Sequence, residues 1–211
     1  MITMIFRKYA ERSGLLALVI FVSLLLSACD RGPRLEPLSR SGVILAFGDS
    51  LTKGTGADRD SAYPAVLGRR LDMQIVNAGV PGELSSTGLK RLPSVLEKYQ
   101  PELVILCHGG NDLLQRRGRT QLKENLEEMI RWCRASGAQV ILVGVPSPGL
   151  FLDSAELYGE VAAETKTVYL DDVLSEILAD RSLKSDAVHP NGKGYTELAE
   201  AIAELIRPAL N

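Results

Sequence analysis

Histidine and cysteine are scarce in this chain of 211 residues, with two of the first and three of the second. That count excludes a disulfide-stapled scaffold. It also leaves no recognisable metal-ligand spacing, because His189 has only scattered aspartates for company. Aromatics make up 5% of the chain and the net charge is −2, so neither a base-stacking platform nor a basic face is present, and nucleic acid is excluded as a partner. Low-complexity tracts are absent, as are internal repeats with periods of about 20–50 residues. What remains is 45% hydrophobic and 24% charged, the composition of one ordinary globular domain with a real core.

The N-terminus departs from that composition. Arg7, Lys8 and Arg12 precede "GLLALVIFVSLLLSA" (14–28), an uncharged stretch too short for a typical membrane span and built like the n- and h-regions of a secretory signal. It runs into "LSAC" (26–29), which resembles a bacterial lipobox and implies that Cys29 is acylated and becomes the first mature residue. A plain cleaved signal or a single anchor helix are the alternatives, and all three carry the domain across a membrane. The expected division is a signal peptide over 1–28, a lipidated Cys and tether over 29–41 and a domain over 42–211. Asp30, directly after the Cys, resembles a retention signal for the inner membrane, so the expected location is the cell envelope, lipid-anchored and facing the periplasm. The stretch "DRGPRLEPLSR" (30–40) is charged and Pro-containing without apolar period, as a tether is.

The other two cysteines read as small hydrophobes. Cys107 closes the apolar run "LVILC", and Cys133 continues the stripe Leu122, Leu126, Met129/Ile130 on one helix face. Export permits a bridge between them, but two buried thiols are the expectation.

After the tether, apolar runs alternate with helical patterns. Strands are expected at 43–48, 74–79, 102–109, 139–145 and 167–170, and helices at 61–71, 86–99, 120–136, 152–165, 172–179 and 192–207. The strand runs are continuously apolar, as in sheets covered on both faces. Regular β-α alternation then implies an α/β fold, a three-layer α/β/α sandwich around a five-stranded parallel sheet. Order 2-1-3-4-5 is the expected choice, although pattern alone does not fix it. In such sheets ligands bind beyond the C-terminal ends of the strands, which singles out "GDSLTKG", "AGVPGELS" and "HGGNDLL".

Ser50 lies in the first of these loops, and a hydroxyl needs a general base to act as a nucleophile. His189, in "SDAVHPNGKGY", has Asp186 three residues before it, and an Asp-x-x-His turn lets the carboxylate fix the imidazole tautomer. His108 stands at the mouth of a strand and reads as a wall residue near the site. Acyl transfer also needs N–H donors where negative charge develops; the backbone N–H groups of Ser50 and Gly82 and the side chain of Asn111 are the candidates. Asp49 reads as a brace of the turn. Asp171 and Asp172, after the last strand, rival Asp186 as the acid. Arg116, Arg117 and Arg119, just after Asn111, either meet anionic head groups or form a solvated loop.

As an ordered set, these blocks resemble the SGNH hydrolases, also called the GDSL esterase/lipase family. "FGDSLTKG" resembles the first family block with Ser50 as nucleophile; "NAGVPGELSSTGLKRL" resembles the second with Gly82, "HGGNDLL" the third with Asn111, and "SDAVHPNGKGY" the fifth with Asp186 and His189. With "AYP" (62–64) and "GLKRLP" (88–93), the chain is most similar to the bacterial thioesterase, lysophospholipase and arylesterase branch, as a lipoprotein. It departs from that branch at His108, where an apolar residue is common, and over "VPSPGLFLDSAELYGE".

The resemblance implies a serine esterase acting on aryl esters, lysophospholipids or acyl thioesters through an acyl-enzyme, with Ser50, Asp186 and His189 catalytic and Ser50, Gly82 and Asn111 forming the oxyanion hole. Such chemistry needs no metal or organic cofactor. The expected partners are a small-molecule or lipid ester and, through Cys29, the membrane. A carbohydrate O-acetyl esterase of the cell envelope and a non-catalytic acyl-binding lipoprotein are the alternatives.

Overall fold

The computed structural model describes residues 32–147 and 156–210. The leader, Cys29, Asp30 and the start of the helix expected from 152 lie outside the described residues. Five strands, β1 (Val43–Gly48), β2 (Gln74–Gly79), β3 (Leu103–Cys107), β4 (Gln139–Val143) and β5 (Val168–Leu170), form one parallel sheet in the order β2-β1-β3-β4-β5. This is the expected α/β architecture. The central strands β1 and β3 are buried almost throughout, and their Val, Ile and Leu residues fill both faces. β2 is only half buried, since it is an edge strand with Gln74 and Asn77 exposed.

Helices α1 (Ser50–Lys53), α2 (Tyr63–Leu71), α3 (Ser85–Tyr99), α4 (Gly110–Leu114), α5 (Arg119–Ala135), α6 (Glu156–Thr165), α7 (Val173–Ala179) and α8 (Gly192–Ile206) complete the described fold. They divide into two groups, α2 packing on α8 and α8 on α7, with α3 packing on α5 and α5 on α6. Leu122, Leu126, Met129, Ile130 and Cys133 are buried along α5, the stripe that its 3.6-residue period places on one face. The short helices α1 and α4 follow their strands immediately and carry no apolar period, so pattern reading missed both.

Register decides where the loops start. Gly48 pairs with both Gly79 and Cys107, so β1, β2 and β3 end level with one another. The segments that follow, from Asp49, Val80 and His108, therefore leave the sheet side by side. At the opposite end of the strands the N-terminal stretch is docked rather than loose. Glu36 N–H donates to Gln139 Oε1 (2.7 Å), Leu38 N–H to the Ala209 carbonyl (2.8 Å), and Ser39 N–H to Glu102 Oε2 (2.8 Å). Leu38 is buried against the core. From Pro33 on, the stretch expected as a tether belongs to the same compact unit as the sheet, because two apolar side chains, Leu35 and Leu38, give it something to bury.

Candidate active site

Ser50 is presented by a sharp change of direction. Asp49 caps α1, its Oδ1 accepting the Leu51 N–H at 3.1 Å, and Gly54 closes the helix one turn later. As the first helical residue, Ser50 has an N–H with no intrahelical acceptor. Asp49 itself is buried, and burial pushes its carboxyl above the ordinary carboxylate range against the pull of His108 and the Leu51 and Gly110 N–H groups. It braces the turn and also forms part of the wall of the cavity that Ser50 lines.

Asp186 and His189 come from the loop before α8. Asp186 Oδ1 accepts the N–H groups of Val188 (2.8 Å) and His189 (2.9 Å), a side-chain-to-backbone turn that sets the loop locally. Its Oδ2 lies 2.8 Å from His189 Nδ1, and His189 Nε2 lies 3.0 Å from Ser50 Oγ. An ionised carboxylate only accepts, so Nδ1 carries the imidazole proton, and Nε2 accepts the Ser50 hydroxyl. Burial acts to raise the Asp186 pKa, but the Val188 and His189 N–H groups and the imidazole outweigh it and hold the carboxyl below its usual value. Of the rival acids, Asp171 receives the Tyr169 hydroxyl at 2.7 Å and the Asp172 N–H, and Asp172 stands at the N-terminus of α7. Asp186 is the carboxylate that reaches the imidazole.

Asn191 is a positioning residue that motif reading passed over. Its Oδ1 caps α8 through Lys193 and Gly194, while its Nδ2 donates to the Ser182 and Lys184 carbonyls. One side chain thus ties both ends of the His189 loop to the start of a core helix. Tyr195, buried on that helix, donates its hydroxyl to the Thr55 carbonyl at 2.9 Å and so joins the histidine side to the serine turn.

Gly82 and Asn111 stand across from this pair. Val80-Pro81-Gly82-Glu83 is a tight turn closed by Glu83 N–H to the Val80 carbonyl, with Pro at the second position and Gly at φ +77° in the third. That is the signature of a type II turn, in which a side chain at the third position is strained. The turn leaves the Gly82 N–H outside its own hydrogen bond. Asn111, in α4, donates through Nδ2 to the Glu83 carbonyl at 3.1 Å, which uses one amide hydrogen and aims the group. Behind it lies a buried chain: Ser85 N–H and Oγ bind the two oxygens of Asp112 at 2.8 and 2.7 Å, and Asn125 Nδ2 donates to Ser85 Oγ at 2.8 Å. None of these three was singled out from sequence.

Ser50, Gly82, Asn111 and His189 line one cavity of about 430 Å³ whose remaining wall is largely apolar, with Leu51, Leu114, Val145, Leu178 and Val188. His108 is not part of that wall, correcting the reading from sequence. Its ring is fully buried behind the cavity. Arg116, Arg117 and Arg119 are exposed and outside the lining, and Arg117 donates to Gln115. Cys107 and Cys133 are buried free thiols, and burial pushes Cys133 up to about 12. Among the described residues no group of three or more His, Cys, Asp or Glu is placed to hold a metal ion, and no helix is long and apolar enough to cross a membrane.

The model of the GDSL-like Lipase/Acylhydrolase family matches residues 46–196. Esterase TesA of Pseudomonas aeruginosa is 32% identical over 199 residues, which is 89% of this chain and 99% of that protein. Thioesterase 1/protease 1/lysophospholipase L1 of Escherichia coli K12 is 29% identical, over 80% of this chain and 85% of that protein. The crystal structure of TesA superimposes with a TM-score of 0.72 at 31% identity, covering 80% of this chain and 99% of that one.

Proposed function

The chain belongs to the GDSL-like lipase/acylhydrolase family, and we propose that it hydrolyses carboxylic esters and thioesters through an acyl-enzyme on Ser50. The carrying observation is the relay from Asp186 through His189 to Ser50, with contacts of 2.8 and 3.0 Å, at the wall of an apolar cavity. His189 Nε2 takes the hydroxyl proton as Ser50 Oγ attacks the carbonyl carbon. Charge moves to the carbonyl oxygen, where the Ser50 and Gly82 N–H groups and the second amide hydrogen of Asn111 receive it. The imidazolium, steadied by Asp186, protonates the leaving alcohol or thiol as the tetrahedral intermediate collapses. Water then enters by the same sequence and releases the acid and free Ser50.

The cavity narrows the substrate class. At about 430 Å³ with an apolar wall, it has the size of a site for a whole small ligand, far more than an acetyl group fills. This supports acyl chains of medium or greater length over an O-acetyl sugar, and agrees with the names of the relatives, an esterase and a thioesterase/lysophospholipase.

The leader and "LSAC" support attachment to a membrane of the cell envelope through acylated Cys29, with Asp30 favouring the inner membrane. The stretch at 36–39 runs under the N-terminal ends of the strands, while Ser50 lies past their C-terminal ends. Replacing Cys29 by Ala is expected to move the protein out of the membrane fraction.

The functional test is a series of p-nitrophenyl esters from acetate to palmitate, assayed with the domain from residue 30 on beside Ser50→Ala. Activity is expected to peak beyond acetate and to vanish in folded Ser50→Ala. An acetate-only profile favours the carbohydrate esterase. Silence on every chain from a folded protein favours a non-catalytic acyl binder, and turnover by Ser50→Ala removes Ser50 as nucleophile.

A further inference from the structure

His108 is a wholly buried imidazole that the reaction does not touch, yet both of its nitrogens are committed. Nδ1 accepts the Gly109 N–H at 2.9 Å, so the ring proton sits on Nε2, which donates to Glu83 Oε2 at 3.2 Å. Glu83 is in turn gripped by Arg91, whose Nε and Nη2 donate to its two oxygens at 2.8 and 2.7 Å. Arg91 is fixed as well, by a hydrogen bond to the Ala78 carbonyl at 3.1 Å and by stacking 4.2 Å above the Phe47 ring. Space for the imidazole is provided by Gly88 on α3, where a Cβ would come within 2.3 Å of Nε2.

The two bonds of His108 lead to different loops. Glu83 directly follows Gly82, and its carbonyl is the acceptor that aims Asn111. Gly109 caps α4, the helix that carries Asn111. One side chain thus holds the Gly82 turn and the Asn111 helix against each other, although they follow different strands. Donors for an oxyanion act only when they are fixed where charge will develop.

We propose that His108 is a positioning residue for the oxyanion hole, setting the separation of the Gly82 N–H and the Asn111 amide; this rests on the reading of those two groups as oxyanion donors. His108 touches no reacting atom and acts through Glu83 and Gly109. A core histidine without this role would affect folding stability alone.

A double-mutant cycle on kcat separates the two roles, with His108→Leu, Asn111→Ala and the pair assayed on p-nitrophenyl butyrate at a temperature where thermal melts show each folded. His108→Leu is expected to lower kcat about 10- to 100-fold, as small misplacements of catalytic groups do, with KM changed less than about twofold. In the Asn111→Ala background the same change is expected to lower kcat less than about threefold, because the donor it positions is already gone. His108→Gln, which keeps a donor toward Glu83 but not the acceptor for Gly109, is expected to recover part of the loss, and it carries the same cycle if the Leu variant does not fold. An unchanged kcat in folded His108→Leu, or an equal factor in both backgrounds, overturns the proposal while leaving the oxyanion reading standing. An unchanged kcat in Asn111→Ala overturns both.

Discussion

The two sides of the cavity are held by different means. On the histidine side, Asp186 and His189 are three residues apart, and most of their geometry is local: two backbone N–H bonds, one imidazole bond and a helix cap at Asn191. On the facing side, Gly82 and Asn111 lie in separate loops, linked by hydrogen bonds among the buried Glu83, Ser85, His108, Asp112 and Asn125 and the partly exposed Arg91. The first arrangement sits in a half-exposed loop set by hydrogen bonds within a few residues. The second is rigid, since each buried polar group it contains must keep its partner or leave another unsatisfied, at about 1–3 kcal/mol apiece. Charge stabilisation needs donors that do not move.

The contrast breaks most visibly on the histidine side. Asp186→Asn is expected to lower kcat about 10²–10⁴-fold by losing the fixed tautomer, while leaving the melting temperature nearly unchanged because the loop is exposed and Asn can still accept the Val188 and His189 N–H bonds. A steady rate in that variant returns Asp171 and Asp172 to candidacy.

Asn111→Ala is expected to cost about 10²–10³ in kcat with little change in KM, the range for loss of one oxyanion donor. Steady-state kinetics on one ester decides it. A loss confined to KM makes Asn111 a substrate-binding group instead.

Acid sharpens the comparison at smaller amplitude. Burial acts to raise the Glu83 pKa, but the hydrogen bonds from His108 and Arg91 overcome it and hold the carboxyl down at about 2, against an ordinary 4.5. A carboxylate depressed in the folded state contributes stability in full above its unfolded value and loses it as pH falls through its folded one. Melting temperature is therefore expected to drop between about pH 4.5 and pH 2, and Glu83→Gln to show a flatter profile across that window. Equal slopes for the two proteins remove Glu83 as the group responsible.

Ser50, Gly82, Asn111, Asp186 and His189 could all be singled out in the sequence as candidates, because each stands in a short polar block directly after an apolar run or before a capped helix. The strand order was the expected one, although right-handed crossovers limit rather than dictate it. His108 was misread for a physical reason: a histidine at a strand end looks the same in sequence whether its ring turns toward the cavity or beneath it, and Gly88, far along the chain, decides by leaving room on the buried side. The docking of residues 33–39 was likewise hidden, since two leucines among charges carry no period and need the sheet's underside to bury against.

The sequence by itself determined the α/β alternation and singled out the polar loops after the strands, both of which follow from periodicity, and it offered Asp186 as a partner for His189 beside two rivals. Only the tertiary structure decided that β1, β2 and β3 end level, that Ser50 meets His189 across a separation of 139 residues, and that one buried imidazole bridges the loops of Gly82 and Asn111. Those facts depend on which side chains share a small volume once the chain has closed on itself, and distance along the chain carries no record of that.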